Sequence, residues 1–574
     1  MKFFHVYNEK CFIGLEKNGF LNKDSGFKIQ NCFPMDPELK FNRFAAKGTK
    51  LHGMIKEGTI PFYVDRLAGG IAWHDYRFDP ELTEEYANIL GDWFLGFQLH
   101  ESGSNRRISD WAHLRELGGG DGPYDLETLK KNMVSLYAKM PDGTPLYQLS
   151  QDGPEFYKDQ RYAYTPADFQ AEMADMFRRR MAENAGRILP VDSYYMATKL
   201  QDDMGMRTFM PEVGCQIPLM RIQVAMARGI ARKSRKTWGT YYECWRFDEE
   251  SGYTMPCFND DPINEWYLPQ DQHPDDFSSY GQNGGSSRLL QARIYYYTVM
   301  SGADYFGEEW GLNCSYTDMQ TFDLSDYGKV KKSFIRAAEK LQGIKAVTPF
   351  AIVLPNTYSV VELPDPYNAR SKAIREGGKY LECELSDAEF AHYGHLDRVL
   401  DLFFGRNDPD TGNEGHVMTN SRFGDLFDII YEDAPKDTLA RYAALIDASH
   451  EGNFKKANAD LNVLASDDLE ALAAQIEALT EQVMPCTADC LHWLVSEDGE
   501  GKRYLSIFNN EGNHRTFTKG DTIDHSKDAW VTIKRKDSAA MEIVHGSESV
   551  SLQKVDEDTY KAFVPATGLL VVRF

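Results

Sequence analysis

The chain has 574 residues, of which 42% are hydrophobic, 26% charged and 13% aromatic, and its formal net charge of −24 excludes nucleic acid as a partner, since phosphate binding needs clustered Lys and Arg. That length exceeds a single core and calls for two to four domains. Nine cysteines, odd in number and scattered singly, fit reduced thiols better than a disulfide framework. The first ten residues show neither an apolar h-region nor a small-residue cleavage site, and no apolar run reaches spanning length, so a soluble, cytoplasmic protein acting on a neutral ligand is expected.

Along the first two thirds, short apolar runs alternate with helical patterns, as in repeated βα units. Eight strands are predicted: Phe3 to Tyr7, Phe27 to Phe33, Ile60 to Asp65, Phe94 to Glu101, Ile188 to Tyr195, Thr208 to Glu212, Thr237 to Glu243 and Ala303 to Glu309. Helices are predicted at Leu39 to Ile55, Pro80 to Trp93, Pro166 to Ala185, Ile217 to Arg235, Ser287 to Met300 and Tyr327 to Leu341. In the fourth of these, Leu219, Ile222, Ala225, Met226 and Ile230 recur at helical spacing and form an apolar stripe that would cover a sheet. Eight βα units make a (β/α)8 barrel, here spanning 1–345 with long excursions at 102–187 and 246–286. Shorter apolar strands and the amphipathic stretch Asp467 to Leu479 predict a smaller α/β layer over 346–483. Alternating strands with Gly, Asn and Asp turns predict an antiparallel sandwich over 484–574.

Four of the eight predicted strands end on a glutamate, and the runs into Glu101 and Glu243 are the most informative of them. In a parallel barrel the strand C-termini share one mouth, so Glu101 after strand four and Glu243 after strand seven would face each other across a pocket. Paired carboxylates of this kind hydrolyse glycosides: one protonates the departing oxygen and the other, about 5 to 5.5 Å away in retaining enzymes, attacks the anomeric carbon. Further mouth candidates for substrate binding are Asp65, Arg66, His100, Asn105, Asp192, Tyr194, Glu212, Trp245, Glu308, Glu309 and Trp310. Strand alternation allows only one of Glu308 and Glu309 to point inward. Six tryptophans, Trp93, Trp111, Trp238, Trp245, Trp266 and Trp310, fall near strand ends, and stacking on a sugar is expected of about two, the rest being core. With no His-x-His pair, no HExxH helix, no Gly-x-Ser-x-Gly elbow, no GxGxxG turn and no Walker A run, neither metal nor cofactor is expected. The acidic run around Asp260, Asp261, Asp271 and Asp275 reads as a solvated loop.

The run Gly96-Phe97-Gln98-Leu99-His100-Glu101 resembles the strand-four acid/base motif of clan A glycoside hydrolases, with His100 where those enzymes carry Asn. Lys236 to Glu243 is similar to the nucleophile strand of family 42 β-galactosidases, as is the later Gly302-Ala303-Asp304 strand start. The resemblance implies Glu101 as acid/base and Glu243 as nucleophile, a flavodoxin-like middle domain, a C-terminal β-sandwich and a homo-oligomer formed through the middle domain, a dimer or trimer. Met210 to Gly214, Gly284 to Ser287 and Glu308 to Gly311 resemble an uncharacterised group of gut-bacterial glycosidase-like proteins. The competing expectation is a non-catalytic carbohydrate-binding protein on the same fold.

Overall fold

The structure is a computed structural model that describes residues 1–7, 9–30, 47–58, 60–67, 80–100, 119–120, 122–128, 131, 165–192, 197–215, 219–248, 252–256, 279–309, 313–358, 379–380, 383–384, 386–405, 413–449, 451–536 and 540–574. Eight strands close into a parallel barrel: β1 (Lys2–Tyr7), β2 (Ser25–Gln30), β3 (Phe62–Leu67), β4 (Phe94–His100), β5 (Ile188–Asp192), β6 (Thr208–Gly214), β7 (Thr237–Glu243) and β8 (Tyr305–Glu308). Each pairs with its sequence neighbours, and β1 pairs with both β2 and β8 to complete the ring. All eight predicted strands are present; the predicted ends at 31–33, 101 and 193–195 lie outside the described residues.

Both faces of such a sheet are covered, which is why its strands read as continuous apolar runs. One set of side chains fills the lumen: Phe4, Tyr63, Leu95, Leu189, Val191, Met210, Tyr241 and Tyr305. The alternate set, including Phe27, Phe62, Phe97, Phe209, Tyr242 and Phe306, belongs to the larger cluster under the helices. Two short helices escaped the periodicity, Glu9–Asn18 and Ala197–Asp203, because seven to ten residues give the helical pattern too few turns to show. Gly96 lies within β4 at φ +100°, and a Cβ there would fall 2.2 Å from the Arg187 carbonyl oxygen, so only glycine lets β4 approach β5 at this point.

Outside the barrel, four parallel strands, β9 (Phe350–Leu354), β10 (Phe427–Tyr431), β11 (Ala444–Asp447) and β12 (Val463–Ala465), run in the order β10-β9-β11-β12. That is the start of the 2-1-3-4-5 order of flavodoxin-like sheets. This sheet docks on a barrel helix, α1 (Met220–Ser234), through buried ion pairs: Arg228 Nε donates to Asp428 Oδ1 at 2.6 Å and Arg221 Nε to Asp425 Oδ1 at 3.0 Å. Gly229 on α1 leaves room for β10, since a Cβ would fall 2.3 Å from the Ile429 carbonyl oxygen.

Two antiparallel sheets of five and four strands form the C-terminal sandwich, the larger one taking in Lys345–Ala346 from the end of the barrel segment. A hairpin from it, Asn513–Thr516 with Gly520–Ile523, reaches the barrel, where Arg515 Nε donates to the Gly285 carbonyl at 3.1 Å. Cys215, Cys244, Cys486 and Cys490 are not joined in disulfides, and among the described residues no helix is long and apolar enough to cross a membrane.

Candidate active site

Alternation along the strands decides what enters the mouth. On β6, Met210 faces the lumen, so Glu212 does as well; on β7, Tyr241 faces the lumen, so Glu243 does as well. His100 closes β4 two positions after Gln98, and both are buried. Glu309 follows β8 two positions after Gly307, whose missing side chain makes room for Tyr63 and Tyr241.

Three of these side chains converge. His100 Nε2 lies 3.5 Å from Glu309 Oε1 and 3.8 Å from Glu212 Oε1, and all three are buried. Trp245 Nε1 donates to Glu309 Oε2 at 2.7 Å, and the Gln98 amide meets His100 Nδ1 at 3.2 Å. Below them Lys28 reaches through the lumen, donating to the Glu309 carbonyl at 2.9 Å and to the Glu308 carbonyl, with the Tyr241 hydroxyl 3.4 Å away. A buried ammonium bound to two carbonyl oxygens fixes where the chain leaves β8, and so where the Glu309 carboxylate stands.

Glu243 is 1% exposed, one step nearer the mouth than the Glu212–Tyr241 pair, in register with Gly214. A Cβ at Gly214 would fall 2.8 Å from the Glu243 Cβ and 2.4 Å from its carbonyl oxygen, so the glycine reserves the space that Glu243 occupies. Beyond it sits a buried polar knot. Glu414 accepts from Ser287 N at 2.7 Å, from Ser287 Oγ at 2.5 Å and from Asn513 Nδ2 at 3.0 Å, with Arg246 Nη1 at 3.7 Å. Burial alone would raise the Glu414 carboxyl, but Arg246, Arg515 and the Ser287 hydrogen bonds outweigh it and hold the pKa below the usual carboxylate range. The same burial, with Glu414 close by, pushes the Cys215 thiol far up, so that sulfur is a neutral packing group.

Glu308 takes the opposite direction from Glu309. Its carboxylate accepts from Tyr327 at 2.7 Å, from Lys331 at 2.6 Å and from Tyr295, all on the helices α2 (Arg288–Met300) and α3 (Asp326–Ala338) that pack outside β8. It is thus separated from the His100 group. Asp192 is buried at the end of β5, in register with Pro211. Asp65 and Arg66 lie on β3, with side chains outside the described set; Glu101, Asn105, Tyr194 and Trp310 lie outside the described residues, as do Trp111 and Trp266 and the acidic run at Asp260, Asp261, Asp271 and Asp275. Trp93 and Trp238 stand just before β4 and near the start of β7, at the end of the barrel opposite the mouth, so of the described tryptophans near strand ends only Trp245 reaches the site.

Lys28, Gln98, Arg246 and Glu414 were not anticipated from the sequence. Gln98 had a signal, being a polar residue two positions before His100 in an otherwise apolar strand. Glu414 had none, because it arrives from a segment nearly two hundred residues downstream of β6.

No protein-family model matches the sequence, and no curated protein does. Among solved structures, the chain is similar to the catalytic module of a family 98 glycoside hydrolase from Streptococcus pneumoniae TIGR4, at 9% identity and TM-score 0.39 over 100% of this chain and 98% of that one. It is also similar to α-L-fucosidase isoenzyme 2 from Paenibacillus thiaminolyticus, at 10% identity and TM-score 0.41 over 99% and 96% of the two chains. A polyextremophilic β-galactosidase from the Antarctic haloarchaeon Halorubrum lacusprofundi gives 10% identity and TM-score 0.39 over 100% and 99%. Values this low leave function to be argued from the site.

Proposed function

We propose that the chain is a retaining, exo-acting glycoside hydrolase for a small neutral oligosaccharide or glycoside, with Glu243 as nucleophile and Glu101 as acid/base. The observation that carries this reading is the Glu243 carboxylate, buried at the C-terminal end of β7 beside lumen-facing Glu212, Glu309 and His100. Glu101 follows in sequence directly after His100, the last residue of β4, and β4 and β7 are three strands apart around the ring.

In this mechanism Glu101 protonates the departing glycosidic oxygen while Glu243 attacks the anomeric carbon; water, deprotonated by Glu101, then releases the sugar. The carboxylates of Glu212 and Glu309 accept from sugar hydroxyls, and the Trp245 ring offers an apolar face to the sugar's C–H side. The barrel over 1–345 carries the chemistry; the layer over 346–483 and the sandwich over 484–574 brace it and provide an oligomer contact.

Glu243→Ala tests the assignment. It should abolish nearly all turnover and regain some with added azide, whereas Glu101→Ala should keep activity mainly toward activated leaving groups. If both variants turn over a substrate found by glycoside screening at the wild-type rate, the assignment is wrong.

A further inference from the structure

We infer that His100, Glu212 and Glu309 form a three-ligand site for a divalent transition-metal cation of the zinc class, set in the barrel mouth beside Glu243. The two-glutamate reaction proposed above needs no metal, so this inference goes beyond it and stands or falls separately.

The first observation is geometric. One imidazole nitrogen and two carboxylate oxygens, from β4, β6 and the end of β8, lie within 4.8 Å of one another, and their residues are 5%, 1% and 4% exposed. The separations from His100 Nε2, 3.5 and 3.8 Å, are too long for direct hydrogen bonds. They are close to the edge of a tetrahedron, about 3.4 Å, that zinc builds with nitrogen and oxygen ligands about 2.1 Å away.

The second observation concerns the groups behind the ligands. Gln98 is fully buried, its nitrogen is placed against His100 Nδ1, and its Oε1 has no hydrogen-bond partner. Turning this amide over lets the orphaned oxygen accept from Nδ1–H. In that orientation the tautomer is the one whose Nε2 lone pair faces the two carboxylates. Three electron-pair donors directed at one buried point are stable around a cation, and a histidine ligand anchored through its other nitrogen is the usual outer arrangement of a metal site. Trp245 does the same for Glu309: it holds Oε2 and leaves Oε1 toward His100.

The donor set selects the metal. One imidazole and two carboxylates suit zinc or a similar transition ion, with the fourth position open to water or a sugar hydroxyl, whereas calcium needs six to eight oxygens.

The test reads binding in the absence of substrate, so its failure is distinct from failure of the glycosidase assignment. Full-length protein, stripped with a chelator, is titrated calorimetrically with zinc chloride and, in parallel, with calcium chloride. One zinc ion per chain and no calcium binding are expected. His100→Ala and Glu309→Gln should each weaken zinc by more than 100-fold, and Gln98→Ala, which removes only the anchor, by roughly 10-fold. Zinc should also raise the melting temperature of the wild type but not of Glu309→Gln, with circular dichroism reporting that each variant is folded. The inference is overturned if the wild type binds no stoichiometric zinc, or if folded His100→Ala and Glu309→Gln both bind it as tightly as the wild type.

Discussion

Glu308 and Glu309 are neighbours in sequence with opposite surroundings, and replacing each by glutamine should separate stability from function. The Glu308 carboxylate is the counter-charge of Lys331, whose ammonium lies 2.6 Å away at 2% side-chain exposure and within 4.9 and 5.7 Å of the Phe3 and Phe20 ring centres. Glu308→Gln keeps an acceptor for Tyr295 and Tyr327 but turns an amide N–H toward the lysine and leaves a buried positive charge unpaired. Breaking a buried pair from one side costs about 3 to 5 kcal/mol. Glu309→Gln removes one of two carboxylates directed at His100 and keeps the Trp245 hydrogen bond, so its cost should be under about 1 kcal/mol. Urea unfolding followed by tryptophan fluorescence measures both, read as midpoint shifts at unchanged slope. The double variant Glu308→Gln with Lys331→Met should recover most of the loss, because it keeps the acceptor for both tyrosines and leaves no buried charge. If Glu308→Gln unfolds within about 1 kcal/mol of the wild type, or Glu309→Gln loses as much as Glu308→Gln, the division of roles at the end of β8 is refuted.

Gly214→Ala should lower turnover by about 100-fold with little change in KM, since the added Cβ must displace Glu243 by a substantial part of an ångström; steady-state kinetics on the screened substrate checks this. Acid should loosen the junction of α1, the middle sheet and the sandwich before it affects the barrel. Burial, assisted by Arg221 and only partly opposed by Asp425, lowers the His492 pKa to about 4 from 6.5, so the unfolded chain takes up a proton that the folded chain refuses. The stabilisation is complete above pH 6.5 and is lost as pH falls toward 4, by about 3 kcal/mol, and urea midpoints at pH 7.5 and 5 should show the decline, reduced in His492→Gln. Asp428→Ala should cost about 3 to 5 kcal/mol, because Arg228 is left buried without its carboxylate, and differential scanning calorimetry would register it. Finally, light scattering at micromolar protein should give a multiple of the 65.4 kDa chain mass, since we expect an oligomer through the middle layer; a single-chain mass refutes a stable one.

The order of elements was legible in the sequence because it rests on local quantities. Runs such as Phe94–His100 and Thr237–Glu243 are apolar on both faces, the stripe on α1 recurs every turn, and eight such units admit few arrangements other than a closed barrel. Alternation, also local, limits Glu308 and Glu309 to opposite faces, but which one faces inward depends on the register of β8 against β7, where Glu308 pairs with Tyr242 of the outer layer. The longest-range features had no local trace. Lys28 reads in sequence as an ordinary strand lysine, and only barrel closure brings its ammonium to the carbonyls of residues 280 positions away. Glu414 meets Ser287 and Asn513 because the middle layer and the sandwich both fold back on the barrel, and Asp428 finds Arg228 for the same reason. Periodicity and propensity act over a few residues, whereas burial of a charge is decided by whichever distant segment supplies its partner. The helical and strand patterns therefore come from the sequence, and the convergence of His100, Glu212 and Glu309 from three strands comes only from the closed ring.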